Sequence, residues 1–206
     1  MLSNNKTFIV AEIGNNHEGN FLVAKKLIKK AKETGVDAVK FQIFNPEFYV
    51  HNSDKKRFNT LKKFQLNFSN FNNLKKYAHD LGIIFFASAF DIKSLNFLLK
   101  ISNIIKISSS DNNNFRFISR VLSQKKKCII STGLLSDKEI VQLINKIKKR
   151  FSKNIIKKYL TFLHCVASYP AKKNNLNLNY IPELKKKINC KIGYSDHSIG
   201  PEACIL

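Results

Sequence analysis

Seven short runs of β-branched and aromatic residues alternate along the chain with lysine-rich amphipathic segments, and this alternation restricts the fold more than any single motif does. The runs are TFIVAEIG (7–14), DAVKFQIF (37–44), IIFFASAF (83–90), IIKISSS (104–110), KCIISTG (127–133), LTFLHCVAS (160–168) and KIGYSDH (191–197). Most are near-continuously apolar, the pattern of parallel strands buried on both faces. Between them, Ala24, Leu27, Ile28 and Ala31 recur at helical spacing with lysines on the other face, as do Ile140, Leu143, Ile144, Ile147 and Phe151. Ser136 followed by Glu139 predicts a capping box at the start of the second of these helices. Further helices are expected near 69–80, 91–100, 114–124 and 178–187. The longest irregular stretch, 45–68, reads as a loop close to a site.

Two architectures suit this alternation: an open doubly wound sheet and a (β/α)8 barrel. In an open sheet, ligand groups come from the few strands at a topological switch point. Here almost every run ends in polar residues. The first leads to Glu12, Asn15, Asn16 and His17, and the second carries Lys40 and Gln42. The next ends are Ser88, then Ser108 to Asp111, then Ser131-Thr132-Gly133. The last two are Ser168-Tyr169 and Ser195-Asp196-His197. A ring of polar strand ends is the mouth of a barrel. No glycine-rich nucleotide-binding motif competes with that reading.

The formal charge of +22 raises the question of nucleic acid. Nearly all of it is lysine, spread over the helical segments, and the only arginines are Arg57, Arg116, Arg120 and Arg150. Specific readers of bases lean on arginine forks, so a solvated lysine surface is expected, with no specific nucleic-acid partner. The four cysteines form no C-x-x-C pair, and Cys128 and Cys165 lie in apolar runs as small buried hydrophobes. A reducing, cytoplasmic location follows. No apolar run is long enough to span a membrane, and the start MLSNNKTFIVAEIG reads as a first strand, not a signal peptide.

Lys40 and Lys106 stand inside apolar strands, where a lysine is costly without an anion. With the hydroxyls of Ser88, Ser109, Ser131 and Ser195 they make a pocket for a phosphate or carboxylate. His197, at the last strand end, is either a hydrogen-bonded structural residue or a metal ligand. His164 reads as a core histidine bonded to backbone, and His17 as a loop cap or a substrate-positioning group.

The motifs AEIGNNHEGN, AVKFQ, FFASAFD, KISSSD, IISTG, LHCVASYP and IGYSDHSIGPEA occur in this order from about residue 7 onward. In that order and spacing they resemble the N-acetylneuraminate (sialic acid) synthase family, which includes legionaminate and pseudaminate synthases. The opening motif is more similar to the neuraminate and legionaminate branch. The resemblance implies an α/β fold, a (β/α)8 barrel. It implies condensation of phosphoenolpyruvate with an open-chain N-acetylhexosamine, typically N-acetylmannosamine, to give a sialic acid-type sugar and phosphate. A divalent metal, usually manganese (Mn2+), is implied as Lewis acid at the sugar aldehyde. By motif position, Lys40, Ser88, Lys106, Ser109, Ser131 and Ser195 are implied phosphoenolpyruvate binders, and Gln42 and Tyr169 sugar contacts. Glu12 and Asp111 are implied acids near the reacting carbons, and His197 a metal ligand.

The sequence departs from the family pattern in several places. Ala89 replaces a proline in the third motif, Ser108 and Ser110 replace two small residues around Ser109, and Ala167 stands where a polar residue is usual. The serines are expected to crowd the loop that carries Ser109. Full-length members continue with a strand carrying an acid and a second metal histidine, the end of the barrel and a small antifreeze-like (SAF) domain, and act as homodimers. Residues 1–206 are therefore expected to be an incomplete barrel ending after its seventh strand, with an incomplete metal site. The alternative to an active synthase is an inactive or split-gene fragment needing a complementary piece.

Overall fold

The computed structural model describes residues 6–51 and 53–205. Residues 1–5 of the opening stretch, and Leu206 of the apolar end Cys204-Ile205-Leu206, lie outside the described residues. The chain divides between Asn103 and Ile104 into two compact units.

The first unit holds three parallel strands, β1 (Val10–Gly14), β2 (Ala38–Ile43) and β3 (Ile84–Ala89), paired in sequence order. Phe21–Glu33 crosses from β1 to β2, opened by the Asn20 side chain, which accepts from the amides of Leu22 and Val23. Phe68–Asp80 crosses from β2 to β3, and Ile92–Ile101 follows β3. Phe41 of β2 stacks on Phe85 at 5.3 Å and meets the edge of Phe71 from the Phe68–Asp80 helix at 6.2 Å. Such aromatic pairs add to the burial that holds helix on sheet.

The second unit holds β4 (Ile104–Ile107), β5 (Lys127–Ser131), β6 (Leu160–Cys165) and β7 (Lys191–Ser195), again parallel and in order. The connecting helices are Phe115–Ser123, Asp137–Arg150 and Tyr180–Ile188. All four residues of β4 are buried, as expected for a strand covered on both faces. Within each unit the strand order follows the chain without reversal. That is the winding of a barrel; a doubly wound sheet reverses at its switch point. The expected capping box is present, with Ser136 and Glu139 bonding each other's backbone amides.

Two expectations need correction, and one helix was not expected. The stretch 45–68 is not an open loop. It contains the helices Pro46–Tyr49 and Lys55–Phe64, capped by Asn45 and Asp54. Lys55–Phe64 buries none of its residues, so no strong apolar stripe marked it in the sequence. The helix Lys153–Tyr159 also went unread; it is short and buries only Ile156. Finally, the strands stop earlier than their runs: β4 ends at Ile107, where the turn Ser109–Asp111 follows, β5 at Ser131, β6 at Cys165 and β7 at Ser195. Among the described residues, no helix is long and apolar enough to cross a membrane.

Asp137 links two helices of the second unit by accepting from Tyr180 and Lys187. The Lys187 and Tyr180 bonds, reinforced by the ammonium charge, hold its carboxyl below the ordinary carboxylate range. A depressed carboxyl stabilises the fold above its unfolded value, and that contribution is lost as pH falls through the folded value. The site is exposed, so the effect is small. Between about pH 5 and pH 3, the urea midpoint of the wild type should fall more than that of Asp137→Asn.

Candidate functional site

Each unit gathers polar side chains at the C-terminal ends of its strands. In the first, Lys40 lies opposite Glu12 in the β1–β2 register, and its ammonium stands 2.5 Å from the Glu12 carboxylate. Lys40 Nζ also donates to Ser88 Oγ on β3 at 3.4 Å. Gln42 lies opposite Ser88, and Asn15 Nδ2 donates to Gln42 Oε1 at 2.8 Å, which orients the amide. Glu12, Lys40, Gln42 and Ser88 are thus neighbours, as their strand positions predict. His17 is a loop cap: buried, with Nδ1 accepting from the Gly19 amide at 3.1 Å.

In the second unit, Lys106 is buried on β4 and donates to Ser131 Oγ on β5 at 2.6 Å and to the Ile107 carbonyl at 3.1 Å. After β4 the chain makes a tight turn, Ser109–Asp111. The two serines expected to crowd this turn are absorbed by Asp111, whose Oδ2 accepts from Ser108 and Ser110, each at 2.8 Å. Ser109 Oγ is left to point at Cys165 Sγ, 3.6 Å away. Ser195 ends β7 beside Cys165 in the β6–β7 register.

His197 is held from three sides. Its Nδ1 is 2.7 Å from the Val166 carbonyl and 3.8 Å from Cys165 Sγ, and Nε2 is 2.9 Å from the Tyr169 hydroxyl. A carbonyl only accepts, so in the neutral ring Nδ1 carries the proton and Nε2 accepts from Tyr169. That backbone anchor is the usual way a ligating imidazole is oriented. Burial works against the imidazolium, but the bonds to Cys165 and Val166 outweigh it, and His197 titrates above its ordinary value. Burial would likewise raise the Cys165 thiol, yet the bonds from His197 and Ser109 hold it below its ordinary value. Cys165 is therefore more than the small buried hydrophobe expected. Cys128 fits that description, its thiol pushed up to about 12 by burial.

His164 is the core histidine expected, with Nε2 2.7 Å from the Leu176 carbonyl. Among the described residues, no three His, Cys, Asp or Glu side chains come together to hold a metal ion. His197 by itself falls short of the roughly three protein ligands of a catalytic zinc-type site, so the described residues do not fit a complete metal centre.

Sequence reasoning missed Asn112. It is buried, and its Nδ2 donates to the carbonyls of Ser131 at 3.1 Å and Gly133 at 2.7 Å, tying the end of β5 to the turn after β4. The polar run Ser108 to Asn114 gave no sign of which asparagine points inward. Asn112→Ala leaves two carbonyls short of a donor and is expected to cost about 2–4 kcal/mol in urea denaturation. An unchanged midpoint would show that water replaces the amide. Asp91 was also passed over. It caps Ile92–Ile101 through Ser94 and accepts from the Asn45 amide at 2.9 Å, fixing the chain after β2.

Residues 27–206 match the NeuB family, so this chain belongs to that family. The N,N'-diacetyllegionaminic acid synthase of Legionella pneumophila is 34% identical over 207 residues, which cover 94% of this chain and 58% of that protein. The human N-acetylneuraminate-9-phosphate synthase is 33% identical over 210 residues, 94% of this chain and 56% of that protein. Among solved structures, the N-acetylneuraminic acid (sialic acid) synthetase of Leptospira borgpetersenii serovar Hardjo-bovis, in complex with citrate, superposes with a TM-score of 0.89 at 35% identity. That match covers 98% of this chain and 71% of the Leptospira chain. The fold is α/β of the (β/α)8 barrel class, and this chain spans about half the length of the curated relatives it matches.

Proposed function

We propose that this chain forms the part of a nonulosonic acid synthase that binds phosphoenolpyruvate and an open-chain N-acetylhexosamine, typically N-acetylmannosamine. One observation supports the reading above the others. A lysine inside one strand bonds a serine on the next strand twice over, as Lys40 with Ser88 and as Lys106 with Ser131. An ammonium beside a hydroxyl offers charge and donors together, which is what phosphate and carboxylate oxygens need. The Leptospira relative was solved with citrate, a small polycarboxylate, in keeping with such groups.

In the proposed reaction, C3 of phosphoenolpyruvate forms a bond to the sugar aldehyde carbon. The aldehyde oxygen takes a proton and becomes a hydroxyl, water adds at C2 and gives up a proton, and the bond between C2 and the phosphate oxygen breaks, releasing inorganic phosphate and leaving a ketone at C2. Lys40, Ser88, Lys106, Ser109, Ser131 and Ser195 hold the phosphate and carboxylate. Gln42, oriented by Asn15, and Tyr169 contact the sugar. Glu12 and Asp111 are the acids near the reacting carbons. His197 would give a divalent ion, manganese by the resemblance, a single nitrogen. The working location is the cytoplasm, in keeping with free Cys128, Cys165, Cys190 and Cys204; no specific nucleic-acid partner is involved, and full-length members of the family are homodimers by the resemblance.

Calorimetric titration with phosphoenolpyruvate tests the binding role. Binding by the 206-residue chain is expected, and its absence, with a full-length relative binding alongside, overturns the proposal. Phosphate release with N-acetylmannosamine and Mn2+ then reports whether the chain turns over unaided.

A further inference from the structure

Outside the strand ends, the second unit has an open depression of about 630 Å3 on the helices Phe115–Ser123 and Asp137–Arg150. Arg116, Arg120, Lys146 and Arg150 line it, and no carboxylate does. Three of the four arginines in the chain therefore meet in one place, although lysine supplies nearly all the charge elsewhere. None of these four cations has an ion pair with an acid among the described residues. Arg116 and Arg120 are four residues apart on one helix, and Lys146 and Arg150 on the other, a spacing at which like charges repel. Ser119, which also lines the depression, has a buried Oγ without a hydrogen-bond partner among the described residues.

We propose that this depression binds a small molecule carrying at least a diphosphate. A cluster of self-repelling cations is relieved by a compact anion, and two phosphate groups bring roughly three to four negative charges to four positive ones. Planar guanidinium forks pair with phosphate oxygens two bonds at a time, which lysine cannot do. The volume lies within the roughly 300–1,000 Å3 of small-molecule sites. The buried Ser119 hydroxyl supplies one further donor. The cations sit on two helices of one unit and away from the strand ends, so the ligand is an effector and not the substrate.

The test is calorimetric titration of the full chain with inorganic pyrophosphate and with ATP, at about 150 mM salt to screen diffuse attraction. One-to-one binding is expected. Arg116→Gln with Arg120→Gln should weaken it at least about tenfold, and Arg116→Lys with Arg120→Lys, which keeps the charge, should weaken it clearly too. Lys26→Gln with Lys29→Gln removes equal charge from an exposed face of another helix and should change affinity less than about twofold. All these positions are exposed, and circular dichroism verifies that each variant folds. Pyrophosphate should raise the melting midpoint of the wild type and of the Lys26/Lys29 variant alone. No binding of either probe, equal weakening by the Lys26/Lys29 variant, or full affinity in the lysine-for-arginine variant overturns the proposal. So does a single-stranded oligonucleotide that binds more tightly than pyrophosphate whether or not the arginines are present.

Discussion

Lys106→Met is expected to lower the affinity for phosphoenolpyruvate about tenfold to a hundredfold while leaving the melting temperature no lower. The ammonium is buried and its donors reach Ser131 Oγ and the Ile107 carbonyl. A hydrogen bond to a charged group is worth about 1.5–3 kcal/mol, and leaving a buried anion without its partner costs at least as much. Methionine has a similar straight chain, and having no buried charge to desolvate it offsets the donors lost to Ser131 Oγ and the Ile107 carbonyl. A residue kept for binding at the expense of packing should show this split between affinity and stability. Lys127→Met, at the exposed start of β5, serves as the control and should change neither. Unchanged affinity in Lys106→Met would sink the assignment of Lys106 as a phosphoenolpyruvate binder. A melting temperature lowered by many degrees would show instead that Lys106 is structural. Calorimetric titration and a thermal melt read the two outcomes separately.

The positions of Lys40, Lys106 and the serines were legible because strand geometry leaves little freedom. Residues near a strand end are brought to the same residues of the next strand by register, and register follows from the apolar pattern. Hence Gln42 falls opposite Ser88, and Ser195 beside Cys165. What happens after each strand was not legible. Asn112 and Asp91 act through hydrogen bonds made just after a strand, and Cys165 through contacts at the last residue of β6; where such a side chain points depends on tertiary contacts with no period in the sequence. The two serines around Ser109 show the difference. As sequence they are departures from small residues that threaten to displace Ser109, whereas in the structure Asp111 takes up both hydroxyls. Helices that bury little, such as Lys55–Phe64, were missed for a related reason. Their starts are set by one capping side chain, and their faces carry no strong apolar stripe.

Gly133→Ala should be strongly disruptive for a single-methyl change. A β-carbon there would stand 2.7 Å from Ser109 Oγ, 3.2 Å from Ala167 Cβ and 3.2 Å from the Cys165 carbonyl. The glycine cannot simply retreat, because Asn112 holds its carbonyl at 2.7 Å. Ser109 can rotate away, but the Cys165 carbonyl is backbone beside β7 and moves only with the strand. Overpacking of this kind costs about 1–3 kcal/mol. Adding Ser109→Ala removes the closest contact and leaves the other two, so the double variant should recover part of the loss. A coupling of at least about 0.5 kcal/mol between the sites is the expected result of the urea-denaturation cycle. Strict additivity would show that the two residues do not touch. Phosphoenolpyruvate affinity should fall in Gly133→Ala even where the fold survives, since the atom forced to move is the hydroxyl proposed to bind it. If stability drops while affinity holds, Ser109 lies outside the binding set, and the small residue at 133 serves the close packing of β5 against β6 alone.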